Sequence, residues 1–242
     1  MEIPRNGWQL LTVACFLWVG HAQANLLTNG SFENTGGTFI GDGNRVDELS
    51  SGSTVIPGWT TTNGVPTAWI ENGNPYGISA SDGSFFLDLT GYANSGTYGG
   101  VTQTMTGLAV GTTYALTFDL GYGGNSSLFG GPVTVRVNAG STSSTFTSGS
   151  GTPNPAVWNS ETFGFTATSA TETLTITGLS TAHGFYIGID NADLEESGTV
   201  VPVTVPVPEA STIVLFGTSL LGLGLLIRYG TRRALNEAHC RI

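Results

Sequence analysis

Between Asn25 and Leu194, apolar residues recur at every second position in short runs, and Gly, Asn and Ser clusters separate the runs. In TYALTFDL, Tyr114, Leu116, Phe118 and Leu120 fall on one side of an extended chain, with Thr113, Thr117 and Asp119 on the other. PVTVRVNA repeats the pattern, with Val133, Val135 and Val137 opposite Thr134, Arg136 and Asn138. ETFGFTA pairs Phe163 with Phe165, ETLTITGL pairs Leu174 with Ile176, and HGFYIGID aligns Phe185, Ile187 and Ile189. SFFLDL and GGVTQTM are two further strand candidates. No stretch of this region carries a helical period. Many short, half-buried strands at this spacing predict an all-β protein, an antiparallel β-sandwich of the jelly-roll type.

The pattern changes at both ends. Arg5 precedes an apolar run, Leu10–Val19, which closes on Ala22-Gln23-Ala24. Small residues three apart after a short apolar core are what a signal peptidase reads, so residues 1–24 form a signal peptide cut before Asn25. At the other end, Ile213–Ile227 is an uncharged stretch of 15 residues. As a helix it is ~22 Å long, or ~27 Å with Ala210–Thr212 added, against a hydrocarbon core of ~30 Å. It can just span. The arginines beyond it belong in the cytoplasm and place the central domain outside. The sandwich domain therefore covers 25–194, and a stiff Val/Pro-rich linker follows at 195–207.

Charge narrows the possible partners. All 7 basic residues are arginines, and Arg45 and Arg136 alone fall between Asn25 and Thr199. Two arginines against 14 acids leave that region at −12. Such a surface repels phosphate backbones and excludes nucleic-acid binding as a function. It suits an extracellular protein or one that holds divalent cations. The two cysteines, Cys15 and Cys240, lie outside the central domain, so packing rather than disulfides must stabilise it.

The C-terminal tail resembles the PEP-CTERM sorting signal. Pro208, Glu209, Ser211 and Thr212, the short apolar helix, and Arg228, Arg232 and Arg233 stand in the order of that family. Ala210 replaces the usual second proline, and residues 234–242 continue past the arginines as a cytoplasmic tail. The resemblance covers 208–233 as sorting signal with transmembrane helix. It implies an exosortase as processing partner, a membrane-embedded cysteine protease or transpeptidase. It further implies export across the inner membrane of a Gram-negative bacterium, transient anchoring, and then residence in the cell envelope or the extracellular polysaccharide matrix. The alternative is a plain stop-transfer anchor.

The order of motifs in the domain is NLLTNGSFE, IPGW, DGSFFLDLTG, GGVTQTMTGLAVGTTYALTFDLG, VWNSETFGFTAT, TETLTITG and FYIGIDNADL. This resembles the galactose-binding-like jelly rolls, and within them the bacterial choice-of-anchor C proteins. The resemblance implies that Glu33 and Asp190 meet and help ligate a structural Ca²⁺, with Asp42, Asp47 and Asp193 as helpers; the alternative is that the two carboxylates cap turns. Calcium takes six to eight oxygens, and an acidic domain without disulfides would gain from one cation.

Carbohydrate modules stack sugars on exposed aromatic rings. Trp69, Tyr76, Tyr92 and Tyr98 lie in or near Gly/Asn-rich segments and are the candidates for a binding face, whereas Trp59 and Trp158 read as core. Catalytic equipment is sparse: His183 is the one histidine of the mature domain, and no G-x-S-x-G elbow occurs. Zinc is excluded on the same count. The expectation is an exported, non-catalytic protein that binds carbohydrate or matrix. Its rivals are a structural or adhesive surface protein without a defined ligand and, third, a polysaccharide hydrolase using two carboxylates.

Overall fold

The computed structural model describes residues 24–92 and 96–197. The chain divides into two compact units, Met1–Ser197 and Gly198–Ile242. The second unit, the signal peptide, most of the linker and the whole sorting tail lie outside the described residues. Among the described residues, no helix is long and apolar enough to cross a membrane.

The first unit is an antiparallel sandwich of two sheets. One carries β1 (Val46–Leu49), β3 (Thr67–Glu71), β4 (Phe85–Asp88), β11 (Gly188–Glu196), β6 (Thr113–Tyr122) and β9 (Val157–Thr166), in that spatial order. The other carries β2 (Thr60–Thr62), β5 (Gly100–Thr106), β10 (Thr171–Thr181), β7 (Val133–Ala139) and β8 (Thr142–Thr147). The alternation in β6 and β7 sets their orientation. Leu116, Phe118 and Leu120 from β6 are fully buried between the sheets, as are Val133, Val135 and Val137 from β7 and Leu174 and Ile176 from the neighbouring β10 in the other sheet. Polar partners of the pattern, such as Thr104 and Arg136, face solvent. The segment before β1 joins the same sheet. Leu26 N donates to Leu194 O at 2.9 Å, and Asn25 Oδ1 accepts from Leu194 N at 3.0 Å.

Around β3, β4 and the start of β11 the six-stranded sheet is buried on both faces. Trp69, Leu87, Ile187 and Ile189 point into the sandwich interior. On the opposite face, Val46, Ala68, Ile70, Ile78, Phe86 and Tyr186 form a second cluster. A train of edge-to-face aromatic contacts runs through it, Tyr76–Phe129–Tyr186–Phe86–Trp158, with ring centroids 5.8–6.3 Å apart. The loops after β3, β6 and β10 supply most of these rings and roof this face of the sheet. Asn125 N donates to Tyr76 O at 2.9 Å, and Trp158 Nε1 donates to Ser79 O at 3.0 Å, which ties the roof together.

Candidate functional site

The strand register places one row of residues straight across the outer face: Glu48, Ala68, Asp88, Gly188, Gly121 and Trp158. Its centre is nearly bare of side chains. A Cβ on Gly188 would lie 2.2 Å from Tyr186 Oη, and one on Gly121 would lie 2.6 Å from the Trp158 ring. The two glycines are register partners, so they form a flat floor on which those rings rest. Beside this floor the roof leaves a cavity of about 210 Å³. Val46, Ala68, Ile70, Ile78, Leu128 and Phe129 make its apolar wall; Tyr76, Asp88, Gly91, Tyr92, Phe185 and Tyr186 complete the lining.

Polar groups gather at two levels. At the mouth, Tyr92 is 42% exposed. Its hydroxyl donates to Asp42 Oδ2 at 2.8 Å and accepts from Tyr76 Oη at 3.4 Å. Its amide donates to Glu48 Oε1 at 3.0 Å. Partial burial, and then the bonds with Tyr76 and Asp42, push the Tyr92 phenol above its usual range. For Asp42, burial acts upward, but the bonds from Tyr92 and from the Asn44 and Val46 amides prevail and hold its carboxyl below the usual value.

At the base, Asp88 is 7% exposed. Its Oδ1 accepts from Thr90 N and from Ile187 N at 2.9 and 3.0 Å, and both oxygens face Thr90 Oγ1. Burial pushes its carboxyl up to about 7 despite these bonds. Next to it, the Tyr186 hydroxyl is buried and makes no hydrogen bond among the described residues. Burial raises this phenol, and the Asp88 and Asp190 carboxylates raise it further.

Two of the four rings expected to stack on a sugar lie in this site. Tyr76 and Tyr92 line the cavity together. Trp69 and Tyr98 do not reach it: Trp69 is 0% and Tyr98 8% exposed, both within the sandwich interior. The reason is parity. Trp69 lies between Ala68 and Ile70 on β3, and those two face the cavity, so Trp69 must face inward. It packs there against Phe39 and Phe85. Trp59 is core, with its indole N–H on Asn29 O, whereas Trp158 is half-buried in the outer roof. Sequence reasoning missed Asp88 and Tyr186. The signal was present in FFLD and FYIG, since the residues alternating with the inward Leu87 and Ile187 must emerge on the other face.

Glu33 and Asp190 reach the same turn from opposite sides. Glu33 Oε1 accepts from Ser84 N and Phe85 N at 2.8 and 2.6 Å. Asp190 Oδ2 accepts from Ser81 N and Asp82 N at 2.7 and 3.1 Å, and Oδ1 accepts from Asn191 N at 2.7 Å. Gly83 sits inside this clamp at φ 65°, where a Cβ would meet the Glu33 carboxyl at 2.3 Å. Glu33 Oε1 and both Asp190 oxygens already hold N–H donors, Asp42 holds Tyr92 and Asp47 accepts from Ile40 N, whereas Glu33 Oε2 and the buried Asp193 Oδ1 accept none among the described residues. Among the described residues, no group of three or more His, Cys, Asp or Glu gathers in metal-binding geometry. Burial leads the rise of the Asp190 carboxyl to about 7. His183 is exposed and touches none of these groups.

A family model described as a protein of unknown function (DUF642) matches residues 25–188. Halomucin of Haloquadratum walsbyi is 33% identical over 193 residues, which are 78% of this chain; the chain spans 2% of halomucin's length. Among solved structures, TmCBM61 in complex with β-1,4-galactotriose is similar at 14% identity and a TM-score of 0.40, over 72% of this chain and 99% of that one. A family 35 carbohydrate-binding module from Clostridium thermocellum is similar at 12% identity and a TM-score of 0.39, over 63% and 98% of the two chains.

Proposed function

The chain belongs to the DUF642 family, and we propose that its sandwich is a non-catalytic carbohydrate-binding module working outside the cell. The observation that carries this reading is the cavity on the outer sheet face, with tyrosine rings and hydroxyls around an apolar wall. A sugar ring offers C–H faces to aromatic surfaces and hydroxyls to polar rims, and this lining supplies both. At about 210 Å³ the space is below the ~300–1,000 Å³ typical of pockets for drug-sized ligands. It suits one sugar unit rather than a run of them. Hydrolysis of a glycoside needs two carboxylates flanking the bond; among the described lining residues Asp88 is the one carboxylate, while Asp42 and Glu48 at the mouth are held by Tyr92. That supports binding without cleavage.

The two ends supply the address. The run to Ala24 supports export, and Pro208–Thr212, the apolar stretch and Arg228, Arg232 and Arg233 support sorting by an exosortase-type enzyme. In this reading the protein is briefly held in the inner membrane, then released to the envelope or the polysaccharide matrix, where it meets its glycan. A glycan array probed with the full chain tests the binding. Signal on a defined set of glycans, lost in Tyr92→Ala without a change in thermal melting, is the expected result. Equal signal from wild type and variant overturns the assignment of the site. Intact mass of the extracellular form tests the address, since retention of Leu225–Arg233 makes the tail a permanent anchor.

A further inference from the structure

The base of the cavity has too many hydrogen-bond acceptors for its donors. Thr90 Oγ1 carries one proton, yet four acceptors surround it: Asp88 Oδ1 at 2.9 Å, Asp88 Oδ2 at 3.0 Å, Phe185 O at 3.0 Å and Gly91 O at 3.3 Å. A hydroxyl proton satisfies one of them well. Among the described residues Asp88 Oδ2 has no other donor, since the Thr90 and Ile187 amides both go to Oδ1. Beside it the Tyr186 hydroxyl, 1% exposed, is without a partner and rests on Gly188, the register partner of Asp88. Buried polar groups in such a state call for a partner that brings protons.

The charge around this base has one sign. Asp190 lies beyond Tyr186, Glu48 lies in the same cross-strand row, and Asp42 stands at the mouth behind Tyr92. Neither arginine of the described residues offsets them. Arg45 pairs with Glu71 at 3.2 Å and donates to Asn72 O, and Arg136 is exposed on the five-stranded sheet. The walls, meanwhile, are aromatic, and ring faces attract cations.

We propose that the cavity takes a sugar unit bearing a free ammonium group, with Asp88 Oδ2 as the acceptor of its N–H protons. The inference rests on the carbohydrate reading above and adds the ligand's charge to it. An ammonium brings three donors and no acceptor, which matches the deficit, and its charge meets a carboxylate that no cation among the described residues neutralises. Without ligand the carboxyl relieves the same deficit by keeping its own proton, in line with its upward shift. Binding then releases that proton as the ammonium replaces it. A carboxylate-bearing sugar would face Asp88, Glu48 and Asp42 at once and is excluded. An N-acetylated unit loses the charge and two of the three donors.

Calorimetry on the full chain tests this with methyl glycosides of the gluco, galacto and manno series, each as amine, N-acetyl, hydroxyl and uronic acid forms. The expected result is that in at least one series the amine binds roughly tenfold or more tighter than the hydroxyl form. Near pH 7 that amine should release a proton, seen as a binding heat that depends on the buffer. Asp88→Asn should bring the amine-to-hydroxyl ratio to about one and remove the proton release. Should that variant not fold, the wild-type ratio and proton release decide alone. Amine and hydroxyl forms of equal affinity overturn the inference and leave the carbohydrate reading in place. Tighter binding of an N-acetyl or uronic acid form does the same. If no form binds, both fail, and choline binding in their absence would mark a cation site unrelated to sugars.

Discussion

Tyr186 is held in a costly environment: its ring is packed among Phe86, Phe129 and the glycine floor, while its hydroxyl has no partner. An unsatisfied buried polar group costs about 1–3 kcal/mol. Tyr186→Phe should therefore raise the melting temperature, read by differential scanning calorimetry. A variant that lost stability would show that the hydroxyl has a structural partner. Asp88 and Asp190 make a pH prediction. Their carboxyls titrate at about 7 in the folded chain against 3.8 for the ordinary group. Between those values the folded state holds protons that the unfolded state has lost, so stability falls as pH rises from about 4 to above 7. Hydrogen bonds that hold Asp42 and Glu172 below their usual values, against an opposing contribution from burial, act the other way and are lost only in stronger acid. The melting temperature should thus be highest near pH 4 and lower at pH 8, and Asp88→Asn should flatten part of that slope. A melting temperature that climbs steadily from pH 5 to pH 8 would contradict both assignments.

At the scale of the strand, the floor depends on what is missing. Gly188→Ala would place a methyl 2.2 Å from Tyr186 Oη and 2.9 Å from the Trp158 ring. Overpacking of this kind costs about 1–3 kcal/mol, and the displaced rings should take the cavity with them. The clamp on Ser81–Phe85 should be uneven. Asp190→Ala strips acceptors from three amides around a fully buried side chain, whereas Glu33→Ala exposes two amides that water can reach. Asp190→Ala should lower the denaturation midpoint well below that of Glu33→Ala, and equal losses would refute the asymmetry. Calcium and EDTA should leave both midpoints where they are, since Glu33 Oε1 and both Asp190 oxygens already hold N–H donors. A calcium-induced rise that Glu33→Ala abolishes would establish a metal site there. Strands β5, β6, β7, β9 and β10 were legible because one face is wet, which makes the apolar alternation visible. In β3, Thr67–Ile70 are all buried, so no alternation exists to read, and β1 and β2 are too short to show one. β8 is a Thr/Ser-rich strand with Phe146 as its one large apolar residue. The same two-sided burial hid the site, since a residue such as Asp88 in an apolar strand looks like an outward solvent contact until the roof above it is known.

For the molecule as a whole, the two faces of the six-stranded sheet divide the work. The inward face makes the core, and Trp69→Ala there should cost about 3–5 kcal/mol, read as a large fall in the unfolding midpoint. The outward face, roofed by loops rather than by a second sheet, carries the cavity. The outer surface of the five-stranded sheet is rich in exposed Thr and Ser. Motif order in the sequence pointed to a jelly roll of this kind, and the DUF642 match falls on the same residues. The central claim is that ligand enters the roofed face, and backbone chemical-shift mapping with the best-binding sugar tests it most directly. The account predicts that shifts gather at Ala68, Ile70, Tyr76, Asp88, Gly91 and Tyr186. Shifts gathered instead on Thr104, Arg136, Thr145 and Thr173, with the cavity residues unmoved, would contradict it.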